Sequence, residues 1–341
     1  MSGLTTSDPA AGAATATASK VAPQVTLAAA PAQASAPQAT QPSLTAAAAE
    51  AAWACSTGRL SDLLVIDEHG DGSAGACTWR LVTLAHLDEA QLAAVAWHLA
   101  DEIMASRFGP SKTKHQAWRD AALGRVTLTE SDKRWLRAFT STVFGLPDAP
   151  KDRGHIQGHV SEWLWYLLTL ERVETTRTRV HLEPPKFQVT DGGGDGFIAY
   201  SSGGAAELSF RLWEIKKHDS VATTAKDVIR GAADQLSLEG TRYLAQLTKP
   251  LGEAAGIAPG EPRLLKLAAE LVDLWIEANP RAGAGVSVAS SNKSVPSSPF
   301  DPMAAKLTDL VHPGQLEGLL CVVAEYARLA DLVRGFVWRP L

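Results

Sequence analysis

Apolar residues recur along most of the chain with the spacing of strands and helices. Short apolar segments at 63–72 and 77–87 surround a turn rich in Gly and Asp, which predicts two strands. After Asp88, apolar residues recur at helical spacing, which predicts a helix. A second predicted helix begins after Thr129, which has a capping-box pattern. These elements predict a small α/β module at 49–150.

The composition changes at 145–154, where Gly and Pro residues indicate a domain boundary. Beyond it, segments with helical spacing alternate with segments of two-residue spacing, which predicts a second, larger α/β domain at 151–341. The predicted elements of this domain are, in chain order, a helix at 155–173, an extended stretch at 175–189, strands at 197–200 and 207–218, helices at 223–247 and 262–278, a strand at 283–291, and a strand followed by a helix within 316–338. We therefore predict a central mixed sheet flanked by helices.

Residues 1–48 are mainly Ala, Pro, Thr, Ser and Gln, with no aromatic residue and two charges. Such a segment cannot bury enough apolar surface to offset the entropy lost on ordering, which predicts a disordered tail. No run reaches the roughly 18 apolar residues that cross a bilayer, and the N-terminus lacks the pattern of a secretory signal. We expect a cytoplasmic protein without a membrane span.

The charge of the chain is uneven. The net charge is −5, which argues against indiscriminate binding of nucleic acid over the whole surface. The segment 107–153 nevertheless carries ten Lys or Arg against five Asp or Glu. Solvated helix faces are the favoured interpretation of this segment, and a phosphate-facing surface is the alternative. Cys55, Cys77 and Cys321 are too widely spaced for a disulfide framework or a paired zinc motif.

The candidate chemistry lies in 191–218, which reads DGGGDGFIAYSSGGAAELSFRLWEIKKH. The two-residue period of a strand places Glu214 and Lys216 on one face, and Asp195 reaches that face if it lies at the mouth of the partner strand. Two carboxylates brought together resist ionisation unless a cation lies between them, and Mg²⁺ or Mn²⁺ takes such oxygen ligands. The alternative is an exposed Glu214–Lys216 ion pair beside a flexible glycine turn.

This pattern resembles the PD-(D/E)xK nuclease superfamily, which has the restriction-endonuclease-like core fold. The resemblance implies that Asp195, Glu214 and the carbonyl of Ile215 bind the metal and that Lys216 acts on the attacking water. It also implies that Glu162, on the preceding helix, supports a metal or a bound water, and that an active-site glutamine corresponds to Gln235. No proline precedes Asp195, which departs from the motif.

More narrowly, the segments GHVSEWLWYLLTLE, PPK, GGGDGF and WEIKKH resemble the nuclease subunit of the Hachiman anti-phage system. That resemblance implies a helicase partner and a role in defence. The sequence therefore predicts a Mg²⁺-dependent endo- or exodeoxyribonuclease that acts on nucleic acid, with DNA favoured over RNA. The alternative is a regulatory subunit that binds nucleic acid without cutting it. The module at 49–150 has no catalytic pattern and is the predicted docking site for a partner.

Other polar clusters are weaker candidates. His155, His159 and Glu162 share a helix face, but their order is not that of a zinc motif, and a His pair near solvent or phosphate is favoured. Asp67, Glu68, His69 and Asp71 are expected to form a turn, for which a metal role is disfavoured. Tryptophans 163, 165 and 213 are expected in the core rather than stacked on bases. Ser290, Ser291 and Asn292 are expected to be turn formers.

Overall fold

The computed structural model describes residues 44–56, 58–70, 77–83, 88–186, 194–203, 206–220, 222–257, 261–291 and 294–341. Residues 44–341 belong to one compact unit. Several of the predictions fall outside the described residues: the tail up to residue 43, Asp71, the glycines at 192 and 193, and Asn292. Gly194 is described. Residues 44–48 of the predicted tail are described, and a helix begins at Ala46.

The helices are α1 (Ala46–Ala54), α2 (Leu60–Leu63), α3 (Glu89–Phe108), α4 (Lys112–Ala122), α5 (Glu130–Ser141), α6 (Arg153–Glu171), α7 (Ala225–Ile257), α8 (Pro262–Ile276), α9 (Asp301–Lys306) and α10 (Tyr326–Trp338). The strands are β1 (Val65–Gly70), β2 (Thr78–Thr83), β3 (Gly145–Leu146), β4 (Ala149–Pro150), β5 (Arg177–Leu182), β6 (Gly196–Ser202), β7 (Leu208–His218), β8 (Ala284–Ser290) and β9 (Leu316–Val322).

Seven strands form one mixed sheet in the order β1-β2-β9-β8-β7-β6-β5. The four central strands β2, β9, β8 and β7 pair in parallel, while β1 at one edge and β6 and β5 at the other pair antiparallel. Helices cover both faces. The predicted α/β class with a central mixed sheet flanked by helices is therefore confirmed.

The two faces of the sheet contact different helices because side chains of a strand alternate between them. In β7, Trp213 and Ile215 join a buried cluster with residues of α3, α6 and α10. Phe210 and Leu212 join a second cluster with residues of α7 and α8. Buried apolar side chains on both faces explain why β7 lacks the apolar–polar alternation of a half-exposed strand.

The strands predicted for the module at 49–150 extend the same sheet as the rest of the chain. β2 pairs in parallel with β9, and α3 packs on α10. The division at residue 150 stays a prediction. Asp67, Glu68 and His69, expected in a turn, lie in β1, and His69 stacks on Trp79 of β2 with ring centroids 4.2 Å apart. The cross-strand partner at Trp79 explains the extended conformation.

Several boundaries follow the predicted signals, and others do not. Asp88 and Thr129 each form a capping box, as expected. Three helices were not expected, α2, α4 and α9, because α4 is highly charged with few buried side chains and α2 and α9 have fewer than two turns. The helix α7 continues through Pro250, which normally kinks a helix. Leu251, just beyond, is fully buried in the cluster shared with α8, and this packing holds the last turns.

No helix among the described residues is long and apolar enough to cross a membrane. Of the three cysteines, Cys77 and Cys321 are buried and Cys55 is exposed. The predicted cytoplasmic location stays a prediction.

The close approach of α6 to β6 predicts that Gly196→Ala is destabilising. A Cβ at Gly196 would overlap the buried indole of Trp165, so the strand or the helix would have to shift. Overpacking of this kind costs about 1–3 kcal/mol of unfolding free energy. Denaturant titration checks the loss, with Gly231→Ala on the exposed side of α7 as the control, since no atom lies within 4 Å of its added Cβ. The prediction is contradicted if the two variants are equally stable.

Candidate active site

Asp195 lies immediately before β6 and is fixed to β7 by its backbone and its side chain. Its N–H donates to the carbonyl of Trp213 at 3.1 Å. The N–H of Ile215 donates to Asp195 Oδ2 at 2.8 Å. These two bonds extend the β6–β7 ladder past Gly196, which pairs with Trp213. The carboxylate therefore has a defined position at the mouth of the strand pair.

Lys216 joins the two predicted carboxylates. Its Nζ forms an ion pair with Glu214 Oε1 and lies 3.9 Å from Asp195 Oδ2. Glu214 is fully buried, whereas the side chains of Lys216 and Asp195 are 34% and 23% exposed. The structure thus brings Asp195, Glu214 and Lys216 together. The pair Glu214–Lys216 is not the exposed ion pair of the alternative interpretation, because one partner has no contact with solvent.

One oxygen of ionised Glu214 has no hydrogen-bond donor among the described residues, and its contact with the Asp195 carboxyl is a hydrogen bond only when Glu214 is protonated. The Oε2 atom is buried and accepts no hydrogen bond from any described residue. A buried carboxylate oxygen without a partner is costly, and such atoms are rare in folded proteins. A hard divalent cation would satisfy this oxygen, and Asp195 is close enough to share the ion. The donor set therefore fits the predicted Mg²⁺ or Mn²⁺, although no cluster of three His, Cys, Asp or Glu side chains poised for a metal is found in the described part of the chain.

Glu162 projects from α6 toward the same cluster. Burial is the main cause that raises its pKa well above the usual range, and the charge of Asp195 raises it further. The charges of Lys216 and Lys186 oppose this shift, and Glu214 adds to it. Because Asp195, Lys216 and Glu214 all affect this pKa, the carboxyl of Glu162 lies within electrostatic reach of the cluster. The structure supplies no direct hydrogen bond between Glu162 and the other two carboxylates.

The carboxyls of the cluster resist ionisation. Burial, followed by the charge of Asp195, raises the pKa of Glu214 from 4.5 to about 8. Burial also raises the pKa of Asp195, against the opposing effect of Lys216. Burial alone would lower the pKa of Lys216, but the adjacent Glu214 and Asp195 outweigh it and raise the pKa. Groups with perturbed ionisation that share one site are typical of functional sites.

Gln235 is on α7, which packs against β7, but its amide is engaged elsewhere. Its Nε2 donates to the hydroxyl of Tyr243 at 2.7 Å. The phenol of Tyr243 acts electrostatically on Lys216, so it links Gln235 to the cluster. No direct hydrogen bond joins Gln235 to Asp195, Glu214 or Lys216 among the bonds of the described residues. Its role as an active-site glutamine stays a prediction.

His159 was expected near solvent or phosphate and is instead fully buried. The indole N–H of Trp163 donates to its Nε2 at 3.0 Å, and Arg107 of α3 approaches the same nitrogen at 3.5 Å. Nε2 is therefore an acceptor, which leaves the ring proton on Nδ1, 3.8 Å from Glu162 Oε2. Burial, followed by the charge of Arg107, lowers the pKa of His159 well below its usual range. His159 is a neutral neighbour of Glu162 rather than a zinc ligand.

Three residues in or beside the site had no signal in the sequence pattern: Lys186, Tyr243 and Arg107. Lys186 follows two prolines in a segment without periodicity, so nothing in the pattern assigns it a position. Tyr243 has the helical spacing of a core residue in α7. Arg107 ends α3 and had the appearance of a surface charge, although it is buried beside His159.

The basic segment 107–153 is partly neutralised within the molecule. Arg119 and Arg125 both donate to Glu50 of α1 at 2.8 Å. Arg119 also pairs with Asp101. At Arg119 and Arg125, these contacts favour solvated helix faces over a phosphate-facing surface. The tryptophans 163, 165 and 213 are buried, as expected for core residues.

The raised pKa values predict a protein that loses stability with rising pH when divalent metal is removed. The folded state holds the Glu214 proton between pH 4.5 and about 8 while the unfolded state has released it. The stabilisation is complete below pH 4.5 and is lost as pH rises through about 8. Unfolding of the EDTA-treated protein across this range measures the slope, and Glu214→Gln should reduce it. A slope that is unchanged in Glu214→Gln contradicts the assignment.

No protein-family model matches the chain, and no curated protein matches its sequence.

Proposed function

We propose that the protein is a metal-dependent nuclease that hydrolyses phosphodiester bonds of nucleic acid, with DNA favoured. One observation carries this proposal: the unpartnered, buried Glu214 oxygen lies in a cluster with Asp195 and Lys216 at the end of a strand pair. A purely structural ion pair would satisfy both oxygens of a buried carboxylate. A metal-binding carboxylate keeps one oxygen available for the ion.

The order of elements supports the restriction-endonuclease-like core that the resemblance implies. Glu162 is on a helix, α6, which is followed by the antiparallel strands β5, β6 and β7. The helix α7 then crosses to β8, which pairs in parallel with β7. Asp195 precedes the middle strand, and Glu214 and Lys216 are on the third. The four-part order of the motif is thus present on elements of the expected types.

In the proposed site, Asp195, Glu214 and the Ile215 carbonyl hold Mg²⁺ or Mn²⁺, with Glu162 supporting the ion or a bound water. A divalent ion in such a site polarises the phosphate and stabilises charge on the attacking and leaving oxygens. Lys216 orients the attacking water through its ammonium group and offsets the negative charge that develops on the phosphate. Because Glu214 is buried, water screens its electrostatic interactions less, and these interactions are stronger than they would be at the surface.

Lys216 and Lys186 supply positive charge near the carboxylates, since both lower the pKa of Glu162 against the effect of burial. A polyanionic substrate approaching a cluster of three carboxylates needs such charges as well as the metal. The helicase partner and the role in anti-phage defence, which the Hachiman resemblance implies, are further parts of the proposal. An intact carboxylate–lysine cluster favours the nuclease over a subunit that binds without cutting.

The experiment is a cleavage assay on end-labelled single- and double-stranded DNA and RNA with Mg²⁺, Mn²⁺ or EDTA. The expected result is cleavage of at least one substrate with either metal and none with EDTA. A gel-shift assay on the same substrates distinguishes the alternative. Retarded nucleic acid that stays intact in every metal condition would favour the non-cleaving subunit, and cleavage in EDTA would reject the metal site.

A further inference from the structure

A second polar site lies at the end of the sheet where β8 and β9 begin. It is a cavity of about 520 Å³, within the range of about 300–1,000 Å³ typical of small-molecule sites. Its walls come from β1, β2, β7, β9 and the segment after α6. The residues of the carboxylate–lysine cluster do not line it. The cavity is therefore separate from the proposed nuclease site.

Arginine dominates the charge of this cavity. Four arginines face three glutamates along its walls: Arg80, Arg172, Arg177 and Arg211, with Glu68, Glu174 and Glu317. All three glutamates already have arginine partners. Glu317 accepts from Arg177 Nη1 at 2.7 Å and from Arg211 Nε at 3.1 Å. Arg172 lies 3.4 Å from Glu174 and 3.5 Å from Glu68.

Arg80 is the arginine without a partner. Arg80 lies in the middle of β2 and lines the cavity, and it is 7% exposed. Among the residues that the structure describes, none forms a hydrogen bond or an ion pair with its guanidinium. Burial, followed by the charge of Arg172, lowers the pKa of Arg80, and the opposing charges of Glu317 and Glu68 offset this lowering only in part. A buried charge left in this state is costly unless something else pairs with it.

The cavity holds a second donor without a partner. The indole of Trp213 lines the wall, and its Nε1 is buried with no acceptor among the described residues. Gly285 on the adjacent strand leaves the space that this indole occupies, since a Cβ there would overlap it. Trp79, stacked on His69, adds an aromatic wall. Positive charge and aromatic surface thus line one cavity, and no described residue forms a hydrogen bond or an ion pair with Arg80 there.

We propose that this cavity binds the oxyanion group of a small molecule, a phosphate or a carboxylate, with Arg80 as the principal anchor. The planar guanidinium presents paired N–H donors that match either oxyanion in a bidentate contact. The arginine–glutamate pairs of Arg172, Arg177 and Arg211 hold the walls in place and leave Arg80 as the arginine available to a ligand. This binding is independent of the divalent metal and of cleavage.

The test is calorimetric titration of the full-length protein with inorganic phosphate, sulfate and succinate, at constant ionic strength and without divalent metal. We expect saturable binding of at least one of the three ions. Preference for phosphate or sulfate would indicate a phosphate site, and preference for succinate a carboxylate site. Arg80→Met should weaken it at least about tenfold, and Arg80→Lys should weaken it less, because a charge remains but the bidentate fork is lost. Arg230→Met, which removes an exposed arginine of α7, is the matched control and should bind as the wild type does.

Thermal unfolding gives a second readout that remains informative if the affinity is low. The bound oxyanion should raise the melting temperature of the wild type and of Glu214→Gln, but not that of Arg80→Met. In the absence of oxyanion, Arg80→Met should be at least as stable as the wild type, because it removes a buried charge that has no hydrogen bond or ion pair among the described residues. The absence of saturable binding by any of the three ions, or equal binding by Arg80→Met, overturns the proposal. An Arg80→Met protein that is folded but less stable without ligand also overturns it, since Arg80 would then be a structural residue.

Discussion

Replacement of Lys216 by methionine is expected to reduce the rate of nucleic-acid cleavage by at least about a hundredfold while the protein stays folded. Methionine keeps much of the length and apolar volume of lysine but removes the ammonium group. That group pairs with Glu214 and lies 3.9 Å from Asp195 Oδ2, where the attacking water and the phosphate are proposed to be. Initial rates under single-turnover conditions, on whichever substrate the wild type cuts, measure the effect.

The chain offers a matched control one residue away. Lys217 is also on β7, but its Nζ donates to Gln157 of α6 at 2.7 Å and lies 3.1 Å from Asp219. Lys217→Met removes the same charge from the adjacent position without touching the carboxylates. Its cleavage rate should stay within a few-fold of the wild type, as expected for a group outside the reacting centre. If Lys216→Met and Lys217→Met lose activity equally, general charge rather than a positioned ammonium would explain the loss.

Glu317→Ala is expected to produce the largest loss of stability, about 3–5 kcal/mol of unfolding free energy. Glu317 is 5% exposed, and Arg177 and Arg211 both donate to it, so its removal leaves the buried Arg211 without its carboxylate partner. Burial would raise the pKa of Glu317, but the hydrogen bond and charge of Arg177 outweigh burial and lower it. The carboxylate is therefore ionised in the folded protein, and equilibrium unfolding in urea measures its contribution.

Glu130→Ala is the control for this prediction. Glu130 forms an i,i+3 ion pair with Lys133 on the surface of α5, and its side chain is 83% exposed. Exposed pairs of this kind contribute little to stability, because water and salt screen them. A Glu317→Ala protein no less stable than Glu130→Ala would mean that Arg177 and Arg211 do not depend on a shared carboxylate, and the description of the cavity walls would then be wrong.

The elements that position the candidate site follow from local sequence patterns. The two-residue period of WEIKK places Glu214 and Lys216 on one face, and the apolar neighbours Trp213 and Ile215 predict that the strand is buried. The structure confirms both statements. Asp195 was expected to reach that face from the mouth of the partner strand, and its bonds to Trp213 and Ile215 place it there.

The features that pattern analysis could not supply depend on long-range packing. β2 joins the sheet through β9, more than two hundred residues later, and no local signal specifies that pairing. The burial of His159 depends on Arg107 and Phe144, which belong to a segment predicted as a different module. The unpartnered state of Arg80 depends on the positions of three glutamates from three separate segments. Each of these features is set by tertiary contacts rather than by residue spacing.

The assignment of roles within the carboxylate–lysine cluster rests on the ion that it is proposed to bind. Cleavage assays depend on a substrate that the fold does not specify, and on a partner if one is needed for activity. Metal binding by the isolated protein depends on neither. It also separates the two proposed sites, because the oxyanion cavity contains an excess of arginine and no unpaired carboxylate among its described walls.

The most direct measurement is therefore calorimetric titration of the full-length protein with Mn²⁺, for the wild type and for Glu214→Gln, at a pH near the raised pKa of Glu214. Gln keeps the shape of the side chain but removes the charge that a hard cation requires. The proposed site predicts saturable Mn²⁺ binding by the wild type, accompanied by proton release, and loss of that binding in Glu214→Gln. Wild-type protein that binds no Mn²⁺, or a Glu214→Gln protein that binds it equally well, would contradict the proposed metal site.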